Sequence, residues 1–382
     1  MPVARVLFTR SRVEPFRAPF YAGLQARLAG LGIAMQVAVP RPNCGDRPPD
    51  WLLPVSGGEI GLAGKTLAWQ SITPHLRGLD LIVMQQNASQ LTNYWLLACR
   101  QHFGYRVAAW GHGVAFQTDW ATPLSRWLKR TLLSQVDFWF AYTPKVASIV
   151  EGSGFPRNRI CTVFNAIDTE NEQRFRHLIT EEQKQALRRE LGMQSSAHLI
   201  SFCGSLYKAK RLEFLLEACR RVRNGGLELH LAIIGDGGEE RWLRARSQEE
   251  PWVHLVGPAQ GERKALLLGV STCMAVSGVV GLAVVDAFAH ECPLVTTDIP
   301  GHGPEIEYLL PKENGLKTAD NVQKFADGIT AVLCDPELRG RLQQGCREAA
   351  SRLTLRNMVE CFAAGIVRAL QFPPGFVPGQ EN

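Results

Sequence analysis

Residues 199–222 read LISFCGSLYKAKRLEFLLEACRRV. Leu199–Cys203 is a short apolar run of strand length, Gly204–Arg211 a polar, basic loop, and Leu212–Val222 a helix. This strand–loop–helix unit recurs along the chain. Downstream, His230–Ile234 predicts a strand and Glu239–Arg246 a helix, and Val253–Val256, Met274–Val276 and Leu294–Thr296 predict later strands. Upstream, Arg5–Thr9, Met35–Val39, Leu81–Gln85, Val107–Trp110, Phe138–Tyr142 and Ile160–Phe164 read as strands. Ala18–Leu31 and Leu91–His102 read as helices among them. Two alternating series predict an α/β protein of two Rossmann-like, doubly wound domains, with ligands at the carboxyl ends of the strands.

Length and composition agree with this reading. At 382 residues the chain suits two domains, and 46% hydrophobic with 20% charged residues excludes a mainly disordered chain. The expected boundaries are 1–168 for the first domain and 169–354 for the second. Residues 355–372 form a last helix packing back toward the first domain, and 373–382 a mobile tail. The uncharged stretch 265–285, ALLLGVSTCMAVSGVVGLAVV, reaches spanning length. Its three glycines, with Ser271, Thr272 and Ser277, argue instead for a helix end, a core strand, a turn and a second helix. The ten cysteines include no Cys-x-x-Cys pair and sit mostly in apolar runs. They read as small buried hydrophobes of a reducing compartment.

The net charge of +6 is uneven: residues 1–168 hold 17 Lys/Arg against 9 Asp/Glu. Such a surplus suits an anionic partner or scattered solvated arginines. Nucleotide and metal fingerprints fail. Gly64-Lys65-Thr66 lacks the earlier glycine of a Walker A loop, because position 59 is Glu, and Gly235-Asp236-Gly237-Gly238 has the wrong spacing for a dinucleotide turn. No Asp-x-Asp and no convincing metal-ligand cluster occurs. Phosphate chemistry would fall to protein cations and backbone amides. Lys208 and Lys210 lie on the loop after a core strand, and Gly278-Val279-Val280-Gly281-Leu282 precedes a helix carrying Asp286 in its second turn.

These pieces, in order, resemble one family. FCGSLYKAKRLEFLLEA (202–218), LHLAIIGDGGEE (229–240), VHLVG (253–257), GVVGLAVVDAFAHECPLVTTDIPGHGPEIEYL (278–309) and ENG (313–315) resemble the donor domain of retaining GT-B glycosyltransferases, the "glycosyl transferases group 1" or family-four enzymes. EPFRAPFYAGL (14–24), QQNASQLTNY (85–94), AAWGHG (108–113), DFWFAYT (137–143) and FNAIDT (164–169) match the first half in order. The resemblance implies the GT-B arrangement, two domains facing across a cleft, and a metal-independent hexosyltransferase. It uses a nucleotide-diphosphate sugar as co-substrate and no separate cofactor. The implied acceptor is a glycan or lipid-linked sugar in polysaccharide, lipopolysaccharide or glycolipid synthesis. The implied setting is cytoplasmic with no nucleic acid bound, and the basic surplus of residues 1–168 adds the expectation of peripheral contact with an anionic membrane face.

By the same resemblance, Gly204, Ser205, Lys208, Lys210, Gly278–Leu282, Asp286 and Glu305 bind the donor, Asp286 through the ribose. His112 faces the sugar and counts with Lys210 and Asp286 as catalytic. Arg17, Gln86 and Asn87 stand with His112 on the acceptor side, Asn165 and Asp168 act as hinge residues, and His302 reaches the nucleotide or sugar. Two departures stand out. The family's paired glutamates are Gly278 and Asp286 here, and its arginine after the first glycine is Ser205. The missing glutamate keeps a non-catalytic nucleotide-sugar-binding protein open as an alternative. A nucleotide-sugar epimerase is a further one.

Overall fold

The computed structural model describes residues 4–40, 48–62, 65–113 and 135–375. The end of the expected tail, 376–382, and Cys44 lie outside the described residues. The chain divides into two compact units, Met1–Asn165 with Leu355–Asn382, and Ala166–Thr354.

In the first unit, β1 (Ala4–Thr9), α1 (Ala18–Ala29), β2 (Ile33–Pro40), β3 (Leu52–Leu62), β4 (Lys65–Ser71), β5 (Leu81–Gln85), α2 (Leu91–Phe103), β6 (Arg106–Gly111), β7 (Phe138–Ala141), α3 (Pro144–Gly152) and β8 (Ile160–Thr162) follow in order. They build one sheet ordered β4-β3-β2-β1-β5-β6-β7-β8. Every pairing is parallel except β3 with β4, which form an antiparallel hairpin from Ser56↔Ser71 to Leu62↔Lys65. The strands are near-continuous apolar runs because helices cover both faces, as Phe138–Ala141, buried at all four positions, illustrates. Thr143 caps α3 by accepting from the Val146 N–H, with Pro144 at the first helical position.

The last helix, α12 (Leu355–Gln371), belongs to this unit. Phe362 is fully buried, stacked on Phe140 at 4.8 Å and packed edge-on against Trp110 at 4.9 Å and Phe20 at 5.0 Å. Arg27 of α1 grips Glu360 with Nε at 2.8 Å.

The second unit runs α4 (Thr169–Leu178), α5 (Glu181–Glu190), β9 (His198–Cys203), α6 (Leu212–Asn224), β10 (Leu229–Ile234), α7 (Glu240–Glu249), β11 (Val253–Gly257), α8 (Gly261–Val270), β12 (Cys273–Val276), α9 (Ala283–Ala289), β13 (Leu294–Thr297), β14 (Gly315–Thr318), α10 (Val322–Cys334) and α11 (Pro336–Arg352). Its sheet, β11-β10-β9-β12-β13-β14, is parallel throughout. Strand order reverses between β9 and β12, which makes the loops after those two strands the switch point where ligands bind in such folds.

Several expectations need correction. The β3–β4 hairpin was not legible in the sequence, nor were α3, β14, α10 and α11. The charged run 169–192 is two helices, because Thr180 forms a capping box with Gln183 and restarts the chain. Asp286 lies in the first turn of α9, not its second. The strand expected at Ile160–Phe164 ends at Thr162, and Phe164 turns to φ 52°. The stretch 265–285 resolves into the end of α8, β12, a turn and the start of α9. Among the described residues no helix is long and apolar enough to cross a membrane.

Phe362→Ala removes the ring on which four aromatic side chains of the first unit converge. Truncating a buried Phe costs about 3–5 kcal/mol. Chemical denaturation is expected to show that loss, and an effect under 1 kcal/mol would mean that α12 contributes little to this unit.

Candidate functional site

The switch point of the second unit is laced together by its own backbone. Ser277 Oγ donates toward the carbonyl oxygens of Arg211 (2.8 Å) and Lys210 (3.1 Å), and the Val279 N–H donates to Ala209 O at 3.0 Å. In return Lys210 Nζ donates to Val279 O at 2.6 Å and Val280 O at 3.3 Å. From the next strand end, Thr297 Oγ1 donates to Ser277 O at 2.8 Å. His302 bridges the same two loops: its Nε2–H donates to Thr297 O (2.7 Å), which leaves Nδ1 to accept from the Val280 N–H (3.4 Å). His302 is thus a buried brace between the loops, and burial draws its pKa down, in keeping with the neutral ring.

Lys210 is 5% exposed, so the solvated-loop alternative does not apply to it. Burial pulls its pKa down to about 8, with Cys203 and Glu305 acting the other way. Glu305 is itself buried at the same strand ends. Gly204 leaves the ammonium uncovered: a Cβ there would stand 3.7 Å from Nζ. Lys208 and Ser205 are exposed.

Gly278 is the tightest point. A Cβ built on it would meet Ala209 O at 2.0 Å and the Lys210 backbone carbon at 2.6 Å. The glutamate found at this position in the resembled family has no room here. The loop that carries Lys210 occupies the space, so the substitution and the loop path go together.

Asp286, the second carboxylate, is held inside an ion network. Lys264 Nζ of α8 donates to Asp286 Oδ1 (2.7 Å) and to Glu172 Oε1 (2.8 Å), and Glu172 Oε2 meets His290 Nε2 at 3.0 Å. Burial opposes the charge on Lys264, but the two carboxylates outweigh it and raise its pKa. Burial likewise pushes Glu172 up, yet the His290 hydrogen bond and the Lys264 charge bring it below its usual value. Lys264 and Glu172 had no signal in the sequence. They come from helices 22 residues and more than 100 residues away from Asp286, and only the fold joins them.

In the first unit the switch point lies between β1 and β5. Gln86 and His112 come together there: Gln86 Oε1 accepts from the Gly113 N–H at 2.9 Å, and its Cβ fills the space a Gly111 side chain would need. The His112 ring stands edge-to-face on Tyr142 at 4.5 Å. Asn87 is turned locally, its Oδ1 accepting from Ser89 N (3.0 Å) and Oγ (2.8 Å). Arg17 is buried, donating to Asn165 Oδ1 and to Met358 Sδ at 3.5 Å. Asn165 is thus tied into the first unit, and Asp168 caps α4 through the Asn171 N–H.

Comparison with known proteins follows the same division. Residues 197–335 match the family model described as "Glycosyl transferases group 1". The chain is 28% identical over 280 residues to the "Putative glycosyltransferase EpsD" of Bacillus subtilis (strain 168), covering 69% of this chain and 70% of that one. In structure it is similar to Anabaena Alr3699/HepE, solved in complex with UDP and glucose (TM-score 0.70, 13% identity, 95% of this chain and 99% of that one). It is also similar to sucrose-phosphate synthase from Thermosynechococcus elongatus (TM-score 0.73, 14% identity, 96% and 99%). The two parallel-sheet units are of the GT-B glycosyltransferase fold.

Gly278→Ala tests the packing of the switch point. Even one methyl group must displace the Ala209 carbonyl, which should cost roughly 1–3 kcal/mol. A melting temperature equal to that of the parent chain would show that the Lys210 loop is free to retreat.

Proposed function

We propose that the protein is a retaining glycosyltransferase that moves a sugar from a nucleotide-diphosphate sugar to a glycan or lipid-linked acceptor. The observation that carries this reading is the Lys210 ammonium, buried at the switch point, held by two carbonyls and flanked by side-chain-free Gly204. Among the described residues Lys210 makes no salt bridge to a carboxylate, and a cation so placed suits a diphosphate. The match of residues 197–335 and the nucleotide bound by the HepE structure support the choice of donor class.

In this reading Lys210 neutralises charge that grows on the β-phosphate as the C1–O bond breaks. The acceptor oxygen bonds to C1 on the face the diphosphate leaves, and its proton passes to a phosphate oxygen. The amides of Val279 and Val280 are already spent on Ala209 and His302, so the charge falls on Lys210 more than on the loop amides expected to share it. Asp286 accepts from the ribose with the oxygen that Lys264 leaves, and Lys264 fixes its orientation. His112 contacts sugar, positioned by Gln86. Lys210 does the work of a metal ion, so activity should survive EDTA.

The membrane-facing surplus is smaller than the charge sum implied. Arg10, Arg17, Arg100 and Arg159 are buried within the first unit, leaving Arg5 and Arg12 exposed near its start. A peripheral anionic contact would rest on these two and their neighbours. A non-catalytic nucleotide-sugar binder is the second reading, favoured by the absent side chain at Gly278. Turnover separates the two.

Three measurements test the assignment. UDP at 100 times its Kd should stabilise the chain by about 2.7 kcal/mol. Lys210→Ala should lower kcat by roughly 10²–10³-fold, whereas Lys208→Ala, on an exposed side chain, should change little. Lys210→Ala also strands the Val279 carbonyl, so its stability should fall by about 1–3 kcal/mol. The charged form of Lys210 is the competent one and exists below its pKa, so kcat/KM should decline as pH rises through about 8. Lys210→Arg keeps its charge and should lose that limb. An unchanged alkaline limb would remove Lys210 from the chemistry.

A further inference from the structure

The β3–β4 hairpin lies outside the repeating βα pattern, and a pocket of about 330 Å³ opens beside it. It is built from the loop after β1 (Ser11), the middle of β3 (Gly57, Glu59), β4 (Trp69, Gln70) and the residue before α2 (Gln90). All these residues belong to the first unit.

The floor is rigid. The Gln70 N–H donates to Thr92 Oγ1 at 2.7 Å and the Ala68 N–H to Ser89 O at 2.9 Å, which ties β4 to the start of α2. At Gly57 a Cβ would meet Pro40 Cβ at 2.6 Å and Trp69 O at 2.8 Å, so only glycine lets the hairpin close down on β2.

Gln70 is the telling residue. It is 2% exposed, and its Nε2 donates to Arg10 O at 2.5 Å. A carbonyl only accepts, so the amide cannot be reversed and Oε1 must occupy the other side. That oxygen is buried and has no hydrogen-bond partner among the described residues. A buried acceptor left this way costs free energy, and because Gln70 lines the pocket, a small turn of its amide toward a bound hydroxyl would recover it. Trp69 stands beside it, 37% exposed and held edge-to-face by Trp95 at 6.3 Å. Glu59 is the one ionisable side chain among the described lining residues, and none of them is a cation. The set is therefore unsuited to phosphate or carboxylate ligands. A hydroxyl donor for Gln70, a hydroxyl pair for the Glu59 carboxylate and a C–H face for the indole are what a neutral pyranose presents.

We propose that this pocket binds a neutral pyranose ring of the saccharide acceptor, with Gln70 and Glu59 taking its hydroxyls and Trp69 its apolar face. The assignment of the saccharide as acceptor rests on the glycosyltransferase reading, but the pocket's chemistry does not depend on the second unit.

The test is saturation-transfer NMR on the full chain with maltotriose, mannotriose, globotriose and chitotriose as probes and sialyllactose as the anionic control. At least one neutral trisaccharide should bind. Trp69→Ala, at an exposed side chain that the fold does not need, should weaken it roughly tenfold while leaving the thermal shift caused by UDP unchanged. Gln70→Met should weaken binding as well, and Trp69→Ala decides the matter if Gln70→Met does not fold. No binding by any neutral probe, binding indifferent to Trp69→Ala, or binding of sialyllactose alone overturns the proposal. Trisaccharide binding without any UDP shift would sustain the pocket and refute the donor reading instead.

Discussion

Lys210 holds the second unit's switch point together by answering a demand that the backbone creates. The carbonyls of Val279 and Val280 need donors, and the ammonium supplies two of its three protons to them. Burying that ammonium is unfavourable, which is why its pKa is depressed to about 8. The cost is accepted across the whole loop set: Ser277, Thr297 and His302 each add a bond that keeps the three strand ends in register. Gly278 is a consequence of the same constraint. With the Lys210 loop drawn over it, any side chain there would displace the clamp itself.

Asp286 shows how a half-buried carboxylate can be held in one orientation by a neighbouring cation. Lys264 stands between it and Glu172, and His290 completes the row. Two carboxylates around one buried cation raise the pKa of that cation, against the opposing effect of burial. The arrangement joins α4, α8 and α9, which fixes the first turn of α9 relative to the strands.

The alternation of apolar runs and amphipathic segments made the fold legible, since parallel strands covered on both faces read as unbroken hydrophobic stretches, as β10 does. The motif loops were legible for a related reason: glycine and lysine after a core strand have few uses. What stayed hidden has two physical sources. The β3–β4 hairpin is rich in glycine and polar residues and carries no strong period, because its pairing is local and one face is open. The environments of Asp286, Arg17 and Asn87 depend on partners brought in from far along the chain or turned aside locally, and no spacing encodes those. Arg17, expected on the acceptor side, is buried and donates to Asn165. Its charge could be counted in the sequence, but its direction could not.

The two units place crevices by one topological rule and fill them differently. In the second, the strand reversal is closed by backbone, with the Lys210 loop packed over Gly278 and the ammonium held by two carbonyls. In the first, the corresponding reversal is packed with side chains: Arg10 lies over Trp110 at 4.9 Å, Arg17 over the same ring at 5.6 Å, and Phe8, Phe20, Tyr21 and Phe362 surround it. Packing of this kind makes the centre of the reversal part of the unit's core. The inserted hairpin breaks the regular pattern beside it and carries the pocket proposed for a pyranose. There Gln70 bonds to the very Arg10 carbonyl that ends β1, so the filled switch point becomes the wall of the neighbouring pocket.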